Sequence, residues 1–346
     1  MKKILLLSAA AAALALVSCN KETVSDGPGE GKPVEITVSI QSAPGTRATG
    51  VTYTDEAKVS SLQIFVFNGE DREAYRSVTG ALQALVPATS GERSVWAIVN
   101  APDLSSVSTL SGLKGEVTLL SANSKDNFIM TGNVTQELAD GGNVAITVKR
   151  IVARVSIGKI STDLKEYREN YSVDVKGIYL INVAAENKYE VGGEAASWVN
   201  KLGHADSDYD PLLYDVLQNV NVSNGKPYET EHVFYPYPNI HGTNEQGVTP
   251  VYDAQWSPRG SILVIEATML DADGRAISLN SNGQTVGYYP IALPVIERNK
   301  TYVIEEVKIT RLPGEVPYKP IETGETQVVI TVSEWEAGLN LGVVTI

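Results

Sequence analysis

Short runs of alternating apolar and polar residues recur along most of the chain. The clearest run holds Val34, Ile36, Val38 and Ile40, each separated from the next by one polar residue. A period of two places every second side chain on the same face of a strand, so such runs predict β-strands with one buried face. Further strands are predicted at 62–66, 95–99, 173–183, 229–235, 261–270, 284–289, 301–311 and 326–333. Because no strand–helix–strand rhythm accompanies them, the pattern favours antiparallel sheets.

One run changes phase between residues 143 and 157. Val144, Ile146 and Val148 set the first apolar face, whereas the second face is set by Ile151, Ala153, Val155 and Ile157. Since a shift of one residue moves every side chain to the other face, the chain must bulge, bend or change sheets near Lys149 and Arg150. We take this point as the junction between two antiparallel β-sandwich domains of transthyretin-like or Greek-key type, spanning residues 48–149 and 150–346.

Helices play a minor part in this all-β prediction. One is predicted after Asn100, which would act as its cap, with Pro102 in the first turn and Leu104, Val107 and Leu110 on one face. A second short helix is predicted at 211–219.

The N-terminus has the pattern of an export signal. Lys2 and Lys3 precede an apolar run at residues 4–17, which is too short to span a bilayer. Residues 16–19, Leu-Val-Ser-Cys, are similar to a bacterial lipobox. We therefore predict a lipoprotein signal peptide at residues 1–18 and lipid attachment at Cys19, against the alternative of an incidental Cys after an ordinary signal. The polar, Gly- and Pro-rich residues that follow predict a tether.

Composition narrows the possible partners. The 28 Lys and Arg against 41 Asp and Glu give a net charge of −13, which disfavours nucleic acid as a ligand. A single Cys excludes an internal disulfide and an all-cysteine metal site. None of the common motifs of hydrolases, zinc proteases, P-loops or redox dithiols occurs in the sequence. We expect no enzymatic activity, no cofactor and no metal.

Six segments in order resemble the FimA-type fimbrillins, subunits of Bacteroidales type V pili. They are the lipobox at Cys19, SLQIFVFNGEDREAY at 61–75, NVAITVKRIVARV at 143–155, HVFYPYPN at 232–239, GYYPIALPVIERNKTYVIEEVKIT at 287–310, and VVITVSEW at 328–335. The resemblance implies a lipoprotein precursor at the cell surface, attached to the outer membrane by its lipid. It also implies that an Arg-specific protease cuts after the first strand, between Arg47 and Ala48, and removes residues 19–47.

The loop around Arg47 supports that cut independently. Pro44 and Gly45 keep the segment irregular and exposed, as proteases require, although a hairpin with a surface Arg is the alternative. Loss of the first strand, with Val34, Ile36, Val38 and Ile40, would open an apolar groove in the first sandwich.

The apolar tail at 326–346 is the candidate donor strand for that groove. Its alternating positions are Val328, Ile330 and Val332, then Trp335, and then Leu339, Leu341 and Val343. Such a tail fits β-augmentation, in which a strand from the next subunit completes the sheet. Alternatively, the tail closes its own second domain, as is expected of a tip subunit.

Two functions of different classes follow. The first is a structural pilin, stalk or tip, that polymerises with other fimbrial subunits for adhesion and biofilm. The second is a monomeric outer-surface lipoprotein that captures a host protein or a glycan. Trp96, Trp198, Trp256 and Trp335 are too dispersed in the sequence to indicate a binding platform.

Overall fold

The computed structural model describes residues 31–42, 56–201, 211–242, 256–319, 330–335 and 343–345 of the 346-residue chain. Its elements are almost entirely strands, so the predicted all-β class is confirmed. Within the described residues, no helix has both the length and the apolar character that a membrane crossing needs.

Seven of the first eight strands form one sheet in the order β3-β2-β5-β7-β8-β1-β4. These eight strands are β1 (Pro33–Ser42), β2 (Ser61–Asn68), β3 (Asp71–Thr79), β4 (Gln83–Thr89), β5 (Gly91–Val99), β6 (Val117–Leu119), β7 (Met130–Leu138) and β8 (Asn143–Arg150). β7 and β8 pair at only two positions, Met130 with Arg150 and Thr131 with Lys149. Beyond those pairs the two strands separate, so strands on either side of the split pack against each other around a shared core.

The second half of the chain adds fourteen strands in the part that the structure describes. They are β9 (Arg154–Ile157), β10 (Ile160–Thr162), β11 (Ser172–Ile181), β12 (Val183–Ala184), β13 (Glu186–Lys188), β14 (Trp198–Val199), β15 (Tyr214–Ser223), β16 (His232–Phe234), β17 (Ile262–Leu270), β18 (Val286–Ala292), β19 (Lys300–Ile304), β20 (Glu306–Ile309), β21 (Thr331–Glu334) and β22 (Val343–Thr345). Two four-stranded sheets, β15-β11-β17-β18 and β16-β9-β19-β21, are accompanied by a three-stranded sheet, β10-β20-β22. β6 pairs with β13 and thereby joins the two halves of the chain.

The pairing is not antiparallel throughout, in contrast to the expectation from the sequence. β1 pairs with β8 in parallel, and parallel pairs also join β9 to β19, β10 to β20 and β20 to β22. Parallel neighbours need a long connection, and residues far apart in the sequence form each of these pairs. The alternation of apolar and polar residues predicts which face of a strand is buried. It does not predict whether the neighbouring strand runs parallel or antiparallel.

The change of phase near residue 150 coincides with a change of core. Val144, Ile146 and Val148 join a hydrophobic cluster within the first sandwich, whereas Ile151 and Val155 join a larger cluster that spans both halves. The larger cluster includes side chains from the other faces of β2 and β5. The two halves therefore share apolar packing, and the domain boundary at 149/150 stays a prediction.

The predicted helix after Asn100 is wrong in its position. Asn100 has a φ of +58°, and its side chain accepts a hydrogen bond from Ser60 N (2.8 Å) and donates one to Phe128 O (2.9 Å). These contacts fix Asn100 in a left-handed turn, which is incompatible with a helix start there. Helix α1 instead covers Leu110–Gly115, with Thr109 Oγ1 accepting from Gly112 N as its N-cap.

The helix predicted at 211–219 is also wrong, because β15 covers most of that segment. β15 pairs antiparallel with β11 from Tyr214 opposite Tyr179 to Ser223 opposite Ser172. This long ladder overrides a weak local preference for helix. Short 3-10 turns at Leu120–Ala122 and Glu166–Arg168 complete the helical content of the described chain.

Candidate functional site

β1 occupies the centre of its half of the first sandwich. On one edge it pairs antiparallel with β4, from Pro33 opposite Thr89 to Ser39 opposite Gln83. On its other edge it pairs parallel with β8 from residue 37 to residue 42. β1 therefore joins β4 to β8, which is itself paired with β7 at two positions.

The side chains of β1 supply a large part of the core between the two layers. Val34, Ile36, Val38 and Ile40 have exposed fractions of 9%, 0%, 0% and 6%, as the alternation predicts. They belong to one cluster with apolar residues of β2, β4, β5, β7 and β8. Burying four side chains of this size contributes about 1.5–3 kcal/mol each, roughly 6–12 kcal/mol together.

Polar contacts to β1 are mostly made by its main chain. Thr37 N donates to Gly142 O and Ile40 N donates to Leu82 O, both at 2.9 Å. The two side-chain contacts near its start, Ser90 Oγ with Lys32 N and Asp140 Oδ1 with Glu35 N, are exposed. A groove of backbone hydrogen-bonding groups and alternating apolar pockets binds an extended strand. It selects that strand by the spacing of the strand's apolar side chains rather than by particular polar residues.

The proposed processing residues lie outside the described structure. Cys19, Arg47 and Ala48 all fall there, and so does the whole segment 43–55 that connects β1 to the body. The predicted lipid site and cleavage site therefore stay predictions.

The C-terminal candidate strand is divided between described and undescribed residues. Val328, Leu339 and Leu341 lie outside the described part, and Val343 opens β22, which pairs with β20 at three positions. β21 pairs with β19 at four positions and ends its sheet. Both tail strands therefore have one short ladder each, in contrast to the two long ladders of β1.

Trp335 is the buried anchor of this tail. Its exposed fraction is 9%, and its ring stacks on Tyr235 with a centroid distance of 5.8 Å. Phe128 contacts it edge-on at 5.9 Å, and the Arg150 guanidinium lies 4.6 Å from the ring centroid. By contrast, Val332 is 46% exposed and Ile330 is half-buried against the large cluster. Among the tail side chains that the structure describes, Trp335 therefore makes the main packing contacts with the rest of the chain.

Glu56 connects the tail to the start of the described body. Its Oε2 accepts a hydrogen bond from Trp335 Nε1 (3.2 Å), and its Oε1 accepts one from the Tyr235 hydroxyl (2.5 Å). Arg154 Nε lies 3.4 Å from the same Oε1, and Arg150 Nε donates to the Glu56 carbonyl at 2.9 Å. Burial, together with the adjacent Glu56 carboxylate, raises the pKa of Tyr235. Sequence reasoning missed this cluster, because no local pattern brings residues 56, 150, 235 and 335 together.

The described side chains give no indication of a metal site or of a catalytic His. They include no group of three or more His, Cys, Asp and Glu placed to hold a metal. His232 is buried, with Nδ1 2.9 Å from Asp215 and Nε2 3.2 Å from the Tyr228 hydroxyl. Both ring nitrogens thus have partners within the fold, which fits a packing role.

The fold gathers two of the four Trp residues that the sequence leaves dispersed. The rings of Trp198 and Trp256 lie 5.5 Å apart, and His241 lies 5.9 Å from Trp198. All three side chains are half-buried. The fold thus brings together two Trp residues whose proximity the sequence alone did not indicate.

These features define an all-β protein whose first sandwich is completed by its own N-terminal strand. Residues 33–174 match the family model "Major fimbrial subunit protein (FimA)". "Major fimbrium subunit FimA type-2" of Porphyromonas gingivalis is 25% identical to the chain, covering 97% of this chain and 98% of that relative.

Two solved structures share the fold. A fimbrilin from P. gingivalis W83 has a TM-score of 0.62 at 18% identity, over 90% of this chain and 97% of that one. A candidate cell adhesion protein from Bacteroides eggerthii has a TM-score of 0.63 at 16% identity, over 91% and 98%. The chain is therefore similar to FimA-type fimbrial subunits, in sequence over nearly its whole length and in fold.

Proposed function

We propose that this chain is a structural pilin of a cell-surface fimbria, cut after Arg47 and polymerised by donor-strand exchange for adhesion and biofilm. The observation that carries the proposal is the position of β1, which lies between β8 and β4 and buries four alternating apolar side chains. Its link to the rest of the chain is the segment that contains Arg47. A cut there would leave β1 held only by noncovalent contacts.

Removal of β1 would drive assembly. Its departure would expose the apolar groove, worth roughly 6–12 kcal/mol, and the unpaired edges of β4 and β8. A strand from a second subunit that fills the groove restores both the burial and the main-chain hydrogen bonds. Because this contact is head-to-tail, repeating it without closure builds a filament.

The C-terminal residues 326–346 are the proposed donor. Their two strands lie at sheet edges with short ladders, so leaving their own subunit breaks few main-chain pairs. Among the described side chains of the tail, Trp335 would lose the most on release, because its contacts with Tyr235, Phe128 and Glu56 would be broken. A stalk subunit would release this tail, whereas a tip subunit would keep it, so the tail's location distinguishes the two roles.

The precursor is proposed to be an outer-membrane lipoprotein anchored through Cys19. Cleavage after Arg47 would remove the lipid and the only Cys together. Five of the 28 basic and four of the 41 acidic residues lie in the first 47, leaving 23 and 37 and a charge of −14. The acidity thus belongs to the fibre subunit, where it favours solubility.

An uncleavable precursor tests the proposal. An Arg47→Gln chain treated with an Arg-specific protease should stay monomeric by size-exclusion chromatography and electron microscopy, whereas the parent should form fibres beginning at Ala48. Arg76→Gln, which changes an exposed Arg on β3, is the matched control and should polymerise like the parent. Polymerisation of the Arg47→Gln chain to the parent's extent would overturn the mechanism.

Capture of a glycan or host protein by a monomer is the second candidate function. The clustered rings of Trp198, Trp256 and His241 favour it, since adjacent aromatic faces suit sugar rings. A parent chain that is cut after Arg47 and still remains monomeric would favour this function over the first.

A further inference from the structure

A cavity of about 380 Å³ opens where β7 and β8 separate. Thr131, Gly132 and Asn133 of β7 line one side, and Thr147 and Lys149 of β8 line the other. Trp96 and Tyr189 contribute aromatic surface. The volume lies in the range of small-molecule sites. β1 pairs with the opposite edge of β8, so this cavity is separate from the proposed donor-strand groove.

Arg298 supplies the cavity with a half-buried positive charge. Its Nη1 donates to the Tyr189 carbonyl at 3.2 Å and its Nη2 donates to Thr131 Oγ1. Its Nε is buried without a hydrogen-bond partner, and no carboxylate of the described residues forms an ion pair with it. Burial lowers the pKa of Arg298 to about 10. A partly desolvated guanidinium with only neutral partners is electrostatically unsatisfied, and a bound anion would offset that cost.

The remaining charges at the cavity add to the positive potential. Lys149 is exposed at the rim and has no ion pair within the described chain. Lys114 pairs with Glu190 at 2.9 Å, so those two charges cancel. The cavity therefore carries two uncompensated cations in a protein whose net charge is −13. A locally positive potential on a negatively charged protein would concentrate an anionic ligand at this cavity.

We propose that this cavity binds a small acidic sugar through its carboxylate, with Arg298 and Lys149 as the cationic contacts. A planar guanidinium matches a carboxylate better than it matches a neutral group. The Asn133 and Thr147 side chains supply hydrogen-bonding groups for hydroxyls, and the Trp96 and Tyr189 rings supply apolar surface. The ligand would bind at a site that neither the strand groove nor the tail uses.

Isothermal titration calorimetry of the uncut full chain tests the proposal, with D-glucuronate as the probe and D-glucose as its neutral counterpart. We expect saturable binding of glucuronate and none of glucose. Lys149→Gln should weaken glucuronate binding about tenfold, and Arg298→Gln should abolish it. Lys226→Gln removes an exposed Lys from the β15–β16 connection and should bind like the parent.

Because Arg298 is half-buried and hydrogen-bonded within the fold, its variant can misfold, so the exposed Lys149→Gln variant carries the test independently. Absence of glucuronate binding to the parent, or equal loss in Lys149→Gln and Lys226→Gln, would overturn the site. Equal affinity for acetate and glucuronate would overturn the sugar part of the proposal.

Discussion

Replacing Ile36 by Ala should lower the free energy of unfolding of the uncut precursor by about 2–5 kcal/mol and leave the finished fibre unchanged. Ile36 is fully buried at the centre of β1, so truncation leaves a cavity in the first sandwich. In the proposed mechanism, cleavage and strand exchange remove β1 from the fibre, and the cavity would be removed with it. Urea unfolding of the precursor and urea dissociation of fibres measure the two quantities.

Ile146→Ala is the matched control for this prediction. Ile146 lies on β8 in the same hydrophobic cluster and is also buried, at 1% exposure. Because β8 stays in the fibre subunit, this truncation should destabilise precursor and fibre alike. Fibres weakened equally by Ile36→Ala and Ile146→Ala would show that β1 remains in place after assembly.

Replacing Trp335 by Ala should detach the tail from its own sheet, at a cost of about 3–5 kcal/mol in local stability. The change removes the contacts with Tyr235 and Phe128, the cation–π contact with Arg150 and the hydrogen bond to Glu56. Hydrogen exchange of residues 331–335 and of β19 should become much faster, since β21 is an edge strand with four pairs.

Val332→Ala serves as the control on the same strand. Val332 is 46% exposed, so its truncation should change stability by less than about 0.5 kcal/mol. Equal hydrogen-exchange rates of residues 331–335 in Trp335→Ala and Val332→Ala would show that Trp335 does not anchor the tail.

The strands were the most predictable part of this fold. The alternation at residues 34–40 places the right side chains inward, and the phase change near residue 150 marks where the chain passes from one hydrophobic cluster to another. Both signals are local, because burial of one strand face needs only a period of two in the sequence.

Elements governed by distant partners were not predictable in this way. Asn100 looks like a helix cap, yet its side chain is fixed by backbone groups near residues 60 and 128. Most of the helix predicted at 211–219 is instead part of β15, which is held by its long ladder with β11. Local spacing carries no information about either set of partners.

The candidate sites also divide into those predictable from local sequence and those that depend on distant residues. The alternation in β1 can be read from its own residues. In contrast, the Glu56 cluster assembles residues from four segments, and the acidic-ligand cavity depends on Arg298, which lies 149 positions after Lys149 in the sequence. Such clusters arise from topology, and only the fold brings their members together.

Disulfide trapping within fibres tests the central claim, that the tail of one subunit replaces β1 of the next. The cut body lacks Cys, so engineered thiols have no competitors. Ala145→Cys places a thiol on the exposed side of β8, opposite Ser39 of β1. It is combined with one Cys at position 329, 331 or 333, and Ser77→Cys on β3 replaces the tail Cys as a control.

Donor-strand exchange predicts a ladder of disulfide-linked multimers on non-reducing gels for at least one tail position, because paired strands bring such residues within disulfide distance. The ladder should appear in fibres of the cut protein and be absent from the uncut precursor and from the Ser77→Cys control. Fibres that assemble normally and yield no intersubunit disulfide at any of the three tail positions would contradict the account.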